Sequence, residues 1–290
     1  FILLIIVECM NKRAYDLGLG FDVTTKLILD GFYSRAGPGD LPINTRNKTV
    51  RGIIVPSYAY EASNVALAWA YKEIAESRLP ECYINLGRDV RDKNHFSTYL
   101  FSSWETSLGL IHIDIERGKK LLNDFSPLIN SAEPFEENIF TDIQLPFLQF
   151  ANKSYLDKVR FLPILVGNPS YDEIRNFADI LSDIPGNICF IASANLTYYG
   201  KKYGSVPFVH GIKHNIGIKD QQMLRCISTL DVAGFLKSTE KWNVPDKNVI
   251  ALFLEIMRGF GYKEGKLLSY YTSGDIEGYE NSVSFCSLVF

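Results

Sequence analysis

The sequence predicts an α/β fold: three layers, α/β/α, around a largely parallel central sheet. Three observations carry it. Short Ile/Val/Leu-rich runs stop abruptly at Gly, Pro or a small polar residue, as central parallel strands do. Stretches of helical periodicity lie between these runs. No repeat, low-complexity tract or linker divides the chain, so residues 28–290 read as one domain, with 1–27 as an N-terminal extension.

The amino end, "FILLIIVECMNKR", has an apolar run of seven residues, far short of the ~20 that span a bilayer. No basic region precedes it and no small-residue cleavage site follows, which makes it a poor signal peptide. The first nine residues are expected to be an upstream extension, or a strand added to a sheet edge or to a partner. The stretch "SRAGPGDLPINTRNK" (34–48) reads as a surface loop. "GIIVP" (52–56), "CYINLG" (82–87), "VRFLPILVG" (159–167) and "NICFIAS" (187–193) are the expected strands. "EASNVALAWAYKEIAES" (61–77) and "YDEIRNFADILSDI" (171–184) have the apolar spacing of helices. Strand, helix and strand in alternation predict right-handed crossovers with both sheet faces covered. Further on, 219–240 and 247–262 read as helices. Two last strands, 266–274 and 282–290, flank the turn-rich "GDIEGYEN".

With 30 basic and 33 acidic residues the net charge is −3, so no general field favours nucleic acid or an anionic membrane. The five cysteines, Cys9, Cys82, Cys189, Cys226 and Cys286, form no C-x-x-C pair. That pattern suggests a reducing compartment and a cytoplasmic protein rather than a disulfide framework. The N-x-S/T triplets at Asn47, Asn152 and Asn195 are read as chance matches, not glycosylation sites.

The usual catalytic signatures are missing. There is no phosphate-binding Gly-x-x-x-x-Gly-Lys-Ser/Thr loop and no Gly-x-Ser-x-Gly elbow, and "GLGFDV" lacks the third glycine of a dinucleotide fingerprint. His210 and His214 in "HGIKH" have metal-ligand spacing if helical. A glycine follows the first, however, and no Glu stands between them, so two solvated loop histidines are expected. His112 reads as a strand residue. Asp89, just past a strand, reads as a solvated loop acid first and a ligand second. Asp142, beside an aromatic stretch, must be paired or have a raised pKa if buried.

Seven segments in series carry a resemblance: "DGFYS" (30–34), "IIVPSYAY" (53–60), "WETSLG" (104–109), "DIQLPFLQF" (142–150), "LPILVG" (162–167), "ASANLTYYG" (192–200) and "NSVSFC" (281–286). Their order and spacing are similar to the Memo family over about residues 28–290. The resemblance implies an α/β/α fold like that of the class III extradiol dioxygenases, with a metal-binding pocket.

This sequence departs from that family at the pocket. The histidine of the family's P-H-A-G-Y segment falls on Ser57, and that of G-P-x-H on Val90. In E-H-S-x-E-x-x-L-P the histidine falls on Ile139 and the second acid on Asp142. In S-S-D-F-x-H-W-G the aspartate falls on Asn195 and the histidine on Tyr198. The cysteine of C-G-R-x-P-I falls on Pro245. First-row metals need several converging imidazole, thiolate or carboxylate donors, and these side chains supply almost none.

The expectation is a non-catalytic protein without a cofactor, binding a protein partner or serving as a subunit or scaffold. Ser57, Tyr58, Tyr60, Asn195, Tyr198 and Tyr199 would line an aromatic, hydrogen-bonding cleft near Asp89, or fill the cavity with packed rings. The alternatives are an oxidoreductase or metal-dependent enzyme with altered chemistry through Asp89, Asp142, His95 or His112, with Tyr198 as proton donor, or a metal held elsewhere by His210 and His214.

Overall fold

The computed structural model describes residues 12–14, 20–43, 46–91, 95–136 and 138–290. Its strands are β1 (Lys12–Ala14), β2 (Gly52–Val55), β3 (Cys82–Arg88), β4 (Phe96–Thr98), β5 (Ser103–Thr106), β6 (Gly109–Ile113), β7 (Leu128–Asn130), β8 (Arg160–Val166), β9 (Ile188–Ser193), β10 (Tyr198–Gly200), β11 (Lys266–Thr272) and β12 (Asn281–Val289). The helices are α1 (Phe21–Tyr33), α2 (Tyr60–Glu76), α3 (Ile115–Asp124), α4 (Glu133–Glu136), α5 (Leu145–Ala151), α6 (Tyr171–Ser182), α7 (Ile212–Ser228), α8 (Val232–Thr239), α9 (Lys247–Gly259) and α10 (Gly274–Glu277).

The centre of the sheet is parallel, in the order β6-β8-β3-β9-β2. Antiparallel strands finish it: β12 beside β2, then β10 and β11 on β12, and β5 beside β6. β1 pairs with β5 in parallel, Lys12 opposite Ser103. The strands are apolar throughout because they are covered on both faces. On β9, Ile188, Phe190 and Ala192 face one core, while Cys189 and Ile191 face the other, as the two-residue pleat requires.

The first core is closed by α6 through Ile174, Phe177 and Leu181, by Met223 and Ile227 of α7, by Phe235 of α8, and by α9 from Val249 to Met257. The second is closed by Ile28 and Phe32 of α1, Leu67, Tyr71 and Ile74 of α2, and Phe147 and Leu148 of α5. These are the three layers that the strand–helix alternation predicts. α1 lies close on α2: a Cβ added at Gly31 would sit 2.5 Å from the Asn64 carbonyl oxygen. α1 also crosses residue 27, so the boundary expected there cuts through a helix. No described helix is long and apolar enough to cross a membrane.

Two expectations need correction. The stretch 219–240 is two helices, not one, broken between α7 and α8. Leu230 there has φ 53°, and Asp231 starts α8 by accepting from the Gly234 N–H at 2.9 Å. The "turn-rich" 274–281 stretch contains the short α10. The four cysteines described are all free. Cys82, Cys189 and Cys286 are buried in strands, where burial raises their thiol pKa. Cys9 lies outside the described residues. Asn152 and Asn195 are fully buried, which removes both triplets as glycan acceptors.

Candidate functional site

Ligand sites in α/β folds lie beyond the carboxyl ends of parallel strands. Here β2 runs out into Pro56 and Ser57, β3 into Asp89, and β9 into Ala194 and Asn195. The 138–144 segment folds over these ends. α9 begins beside them at Asp246, and β10 follows at Tyr198.

Asn195 ties the ends together. Its Oδ1 accepts from the Ser57 N–H at 3.1 Å. Its Nδ2 donates toward the Ser57 carbonyl (3.2 Å), Ser57 Oγ (3.0 Å) and the Tyr198 hydroxyl (2.8 Å). A second amide extends the pattern: Gln144 Nε2 donates to the Pro56 carbonyl (2.9 Å) and Ser193 Oγ (2.8 Å), while its Oε1 accepts from the Tyr71 hydroxyl (3.1 Å). Ser193 Oγ in turn donates to the Phe140 carbonyl, and Asn138 Nδ2 donates to the Arg88 carbonyl. Backbone groups left over where strands end must find partners when buried. Side-chain amides supply them here.

The charges beside this network come from Asp246 and Arg88. Asp246 is the N-cap residue of α9 but makes no capping bond. Its Oδ2 instead accepts from the Asn195 backbone N–H at 2.7 Å, and its Oδ1 lies 3.8 Å from Arg88 NH1. The carboxyl is fully buried, and burial pushes its pKa up to about 6, against the lowering effects of the Asn195 N–H and the Arg88 charge. Burial, and then the charge of Asp246, raises the Tyr198 phenol well above its ordinary value. Two residues on, Thr197 Oγ1 donates to Asp220 Oδ1 at 2.6 Å, and Tyr270 donates to Asp220 Oδ2 at 2.7 Å. The segment from Asn195 to Thr197 is thus held by a buried carboxylate on each side.

Tyrosine rings close over the strand ends. Tyr198 meets Tyr203 edge-on at 5.1 Å, the Tyr58 and Tyr203 hydroxyls lie 3.3 Å apart, and Tyr58 packs on Phe285 at 5.3 Å. Burial raises Tyr58 to about 12. Tyr58, Tyr198 and Tyr203 thus pack as one group beside the ends of β2 and β9.

The remaining candidates lie partly on the segments that meet at the strand ends and partly elsewhere. Val90 sits half-exposed in the turn after β3, and Ile139 is exposed. Pro245 is half-buried next to Asp246, and Asp142 is buried at the start of a 3₁₀ turn, 142–144. Asp89 is not the solvated loop acid expected: it is buried, and its Oδ1 accepts from the Arg91 N–H at 3.0 Å, turning the chain. Tyr60 and Tyr199 point away into core packing. Tyr60 donates to the Ile143 carbonyl at 2.6 Å against Phe147, and Tyr199 donates to the Phe208 carbonyl at 2.6 Å. His95 pairs with Glu173 at 2.6 Å, and His112 on β6 lies 3.2 Å from Ser103 Oγ. His210 and His214 are both exposed, but only His214 is helical. Gly211, with φ 59°, is the N-cap between them, so they do not share a helix face.

Sequence reasoning missed Asp246, Arg88, Gln144 and Asn138. Asp246 carries no sequence signal beyond that of an ordinary acid before a helix, and the two amides carry none.

A metal of the kind the resemblance implies does not fit these residues. Among the described residues, Ser57, Asn195 and Tyr198 converge at the strand ends beside Asp246, whose Oδ2 is engaged by the Asn195 N–H. No imidazole or thiol joins them. Among the described residues no three His, Cys, Asp or Glu side chains gather as metal ligands would.

A sheet with a parallel centre and helices on both faces defines a three-layer α/β protein. Within that class the chain belongs to the Memo family. The family profile described as "Memo-like protein" matches residues 24–289. A MEMO1 family protein of Methanopyrus kandleri is 30% identical, covering 91% of this chain and 92% of its own. A MEMO1 family protein of Pyrococcus furiosus is 25% identical over 97% of this chain and 99% of its own. The resemblance read from the seven segments is thereby borne out. Among solved structures, an uncharacterized protein from Escherichia coli K12 is similar over 83% of this chain, at 10% identity and a TM-score of 0.49.

Proposed function

We propose that this chain is a non-catalytic Memo-family protein that acts by binding a protein partner, its strand-end site turned into polar core. One observation supports this above the rest: Asn195 uses both its acceptor and its donors on Ser57 and Tyr198. A carboxylate at this position would have nothing to donate, and it would face Asp246 at close range. The asparagine that replaces the family's aspartate is therefore built into the fold through Ser57 and Tyr198. The net charge of −3 favours protein over nucleic acid as the partner.

Native co-purification from its own cells, followed by sedimentation, tests the binding half. A stoichiometric protein partner is the expected result; a monomer that never carries one counts against it. A second reading, an enzyme of altered chemistry, is favoured by one feature: the buried Asp246 carboxyl, pushed up to about 6 by burial, lies beside Arg88 and acts on Tyr198. Turnover whose rate changes around that pH and disappears in Asp246→Asn would decide for it.

A further inference from the structure

We propose that the exposed face of α7, with the loop that leads into it, docks an acidic protein segment anchored by apolar side chains. This rests on the binding reading above and gives the partner its chemistry. Charge is the first observation. From Lys201 to Lys219 the chain has four lysines, two histidines and no aspartate or glutamate, in a protein of net charge −3. Lys213 is paired with Asp275 at 2.6 Å, and that carboxylate also holds Tyr279 and Thr272. Lys219 lies over the Trp242 ring, 5.5 Å from its centre, while Lys201 and Lys202 are exposed. Lys202 lies over the Tyr203 ring at 5.4 Å, so the segment presents several ammonium groups held in place on its surface.

Apolar exposure on the same segment is the second observation. Val209 is 68% exposed, and Val206 and Ile218 are exposed as well. The loop is held in place by Phe208, whose carbonyl accepts from Tyr199 and whose ring stacks on Tyr199 at 5.1 Å and meets Trp242 at 5.7 Å. A fixed loop that presents valines to solvent is not simply loose chain. On α7, His214, Gly217, Ile218 and Gln221 follow the i, i+3, i+4, i+7 spacing of one helix face. They line a shallow groove of about 640 Å³. A Cβ at Gly217 would meet nothing within 4 Å, so no neighbour in this chain requires the glycine. A glycine inside a helix weakens it; its use here is to let a partner's backbone or side chain approach closely.

Lysines around an apolar groove match a segment that carries carboxylates beside Leu, Ile or Phe anchors. A membrane surface fits less well, because the exposed apolar residues here are valine and isoleucine, without the Trp, Phe or Leu of interfacial helices.

Selection from a displayed library of random peptides tests this. Enriched sequences should combine Asp or Glu with large apolar residues. A synthetic peptide of the enriched sequence should bind at least about tenfold more weakly to Gly217→Gln and to Ile218→Asp, and more weakly as salt rises. Gly217→Gln replaces glycine with a better helix former, so it keeps the fold, and its melting temperature shows this. Enrichment without acidic residues, binding indifferent to both substitutions, or preferential binding to phosphatidylserine vesicles would overturn the proposal. Native co-purification of the wild type and Gly217→Gln then separates the two claims. A partner retained by the variant removes this surface but leaves the binding reading; a partner carried by neither removes the binding reading itself.

Discussion

Asn195 is where the account can be tested most sharply at the scale of one residue. It is fully buried, its two amide N–H groups point among three oxygens of Ser57 and Tyr198, and its backbone N–H meets the Asp246 carboxylate. Asn195→Asp removes every side-chain donation and adds a second buried carboxylate, so it is expected to cost roughly 3 kcal/mol or more at neutral pH; urea unfolding measures this. A carboxylate that belongs at this position would cost almost nothing. Asp246 gives a pH dependence. Burial holds it at about 6 in the folded chain, against 3.8 ordinarily. The folded state therefore keeps a proton that the unfolded state has lost between those values. Its contribution to stability is complete below the unfolded value and is lost as pH rises through the folded one, a change of ~3 kcal/mol. Asp246→Asn should remove that slope while keeping an acceptor for the Asn195 N–H. A slope that persists in the variant contradicts the assignment. Ser57, Asn195 and Tyr198 were legible in the sequence because a family pattern marked their positions. Asp246 was not, because its carboxylate acts across 51 positions on a backbone N–H, a contact no local pattern encodes.

Among the elements, the central strands were legible almost residue by residue. Burial on both faces forces unbroken apolar runs, and "CYINLG" and "NICFIAS" show them as plainly as the folded β3 and β9 do. The helices of the last third were harder. α7 starts at Ile212, earlier than the apolar spacing suggested, because its first turns are exposed and carry Gly217. The break at Leu230 depends on a left-handed backbone that leucine does not advertise. Gly217→Ala tests the reading of α7. With open space at the Cβ position, alanine should stabilise the protein by ~0.5–1 kcal/mol through helix propensity alone, seen as a higher melting temperature. Destabilisation would mean that the glycine serves this chain's own packing, and would remove one support for docking on that face.

For the whole molecule, the three-layer architecture and family membership agree, and both were visible in the order of strands, helices and seven short segments. What the order could not show is how the strand ends are filled. That depends on Gln144 reaching Pro56 and Ser193, on Tyr198 meeting Tyr203, and on Asn195 meeting Ser57 138 residues away. Those contacts carry the proposal that the fold is kept while the strand-end position is occupied by its own side chains. Metal content tests it most directly, measured by mass spectrometry on protein purified without chelator or affinity-tag metal. Far less than one copper, iron or zinc per chain is expected, unchanged after incubation with each ion and desalting. One tightly held metal per chain, lost together with Asp246→Asn or Asp142→Asn, would contradict it.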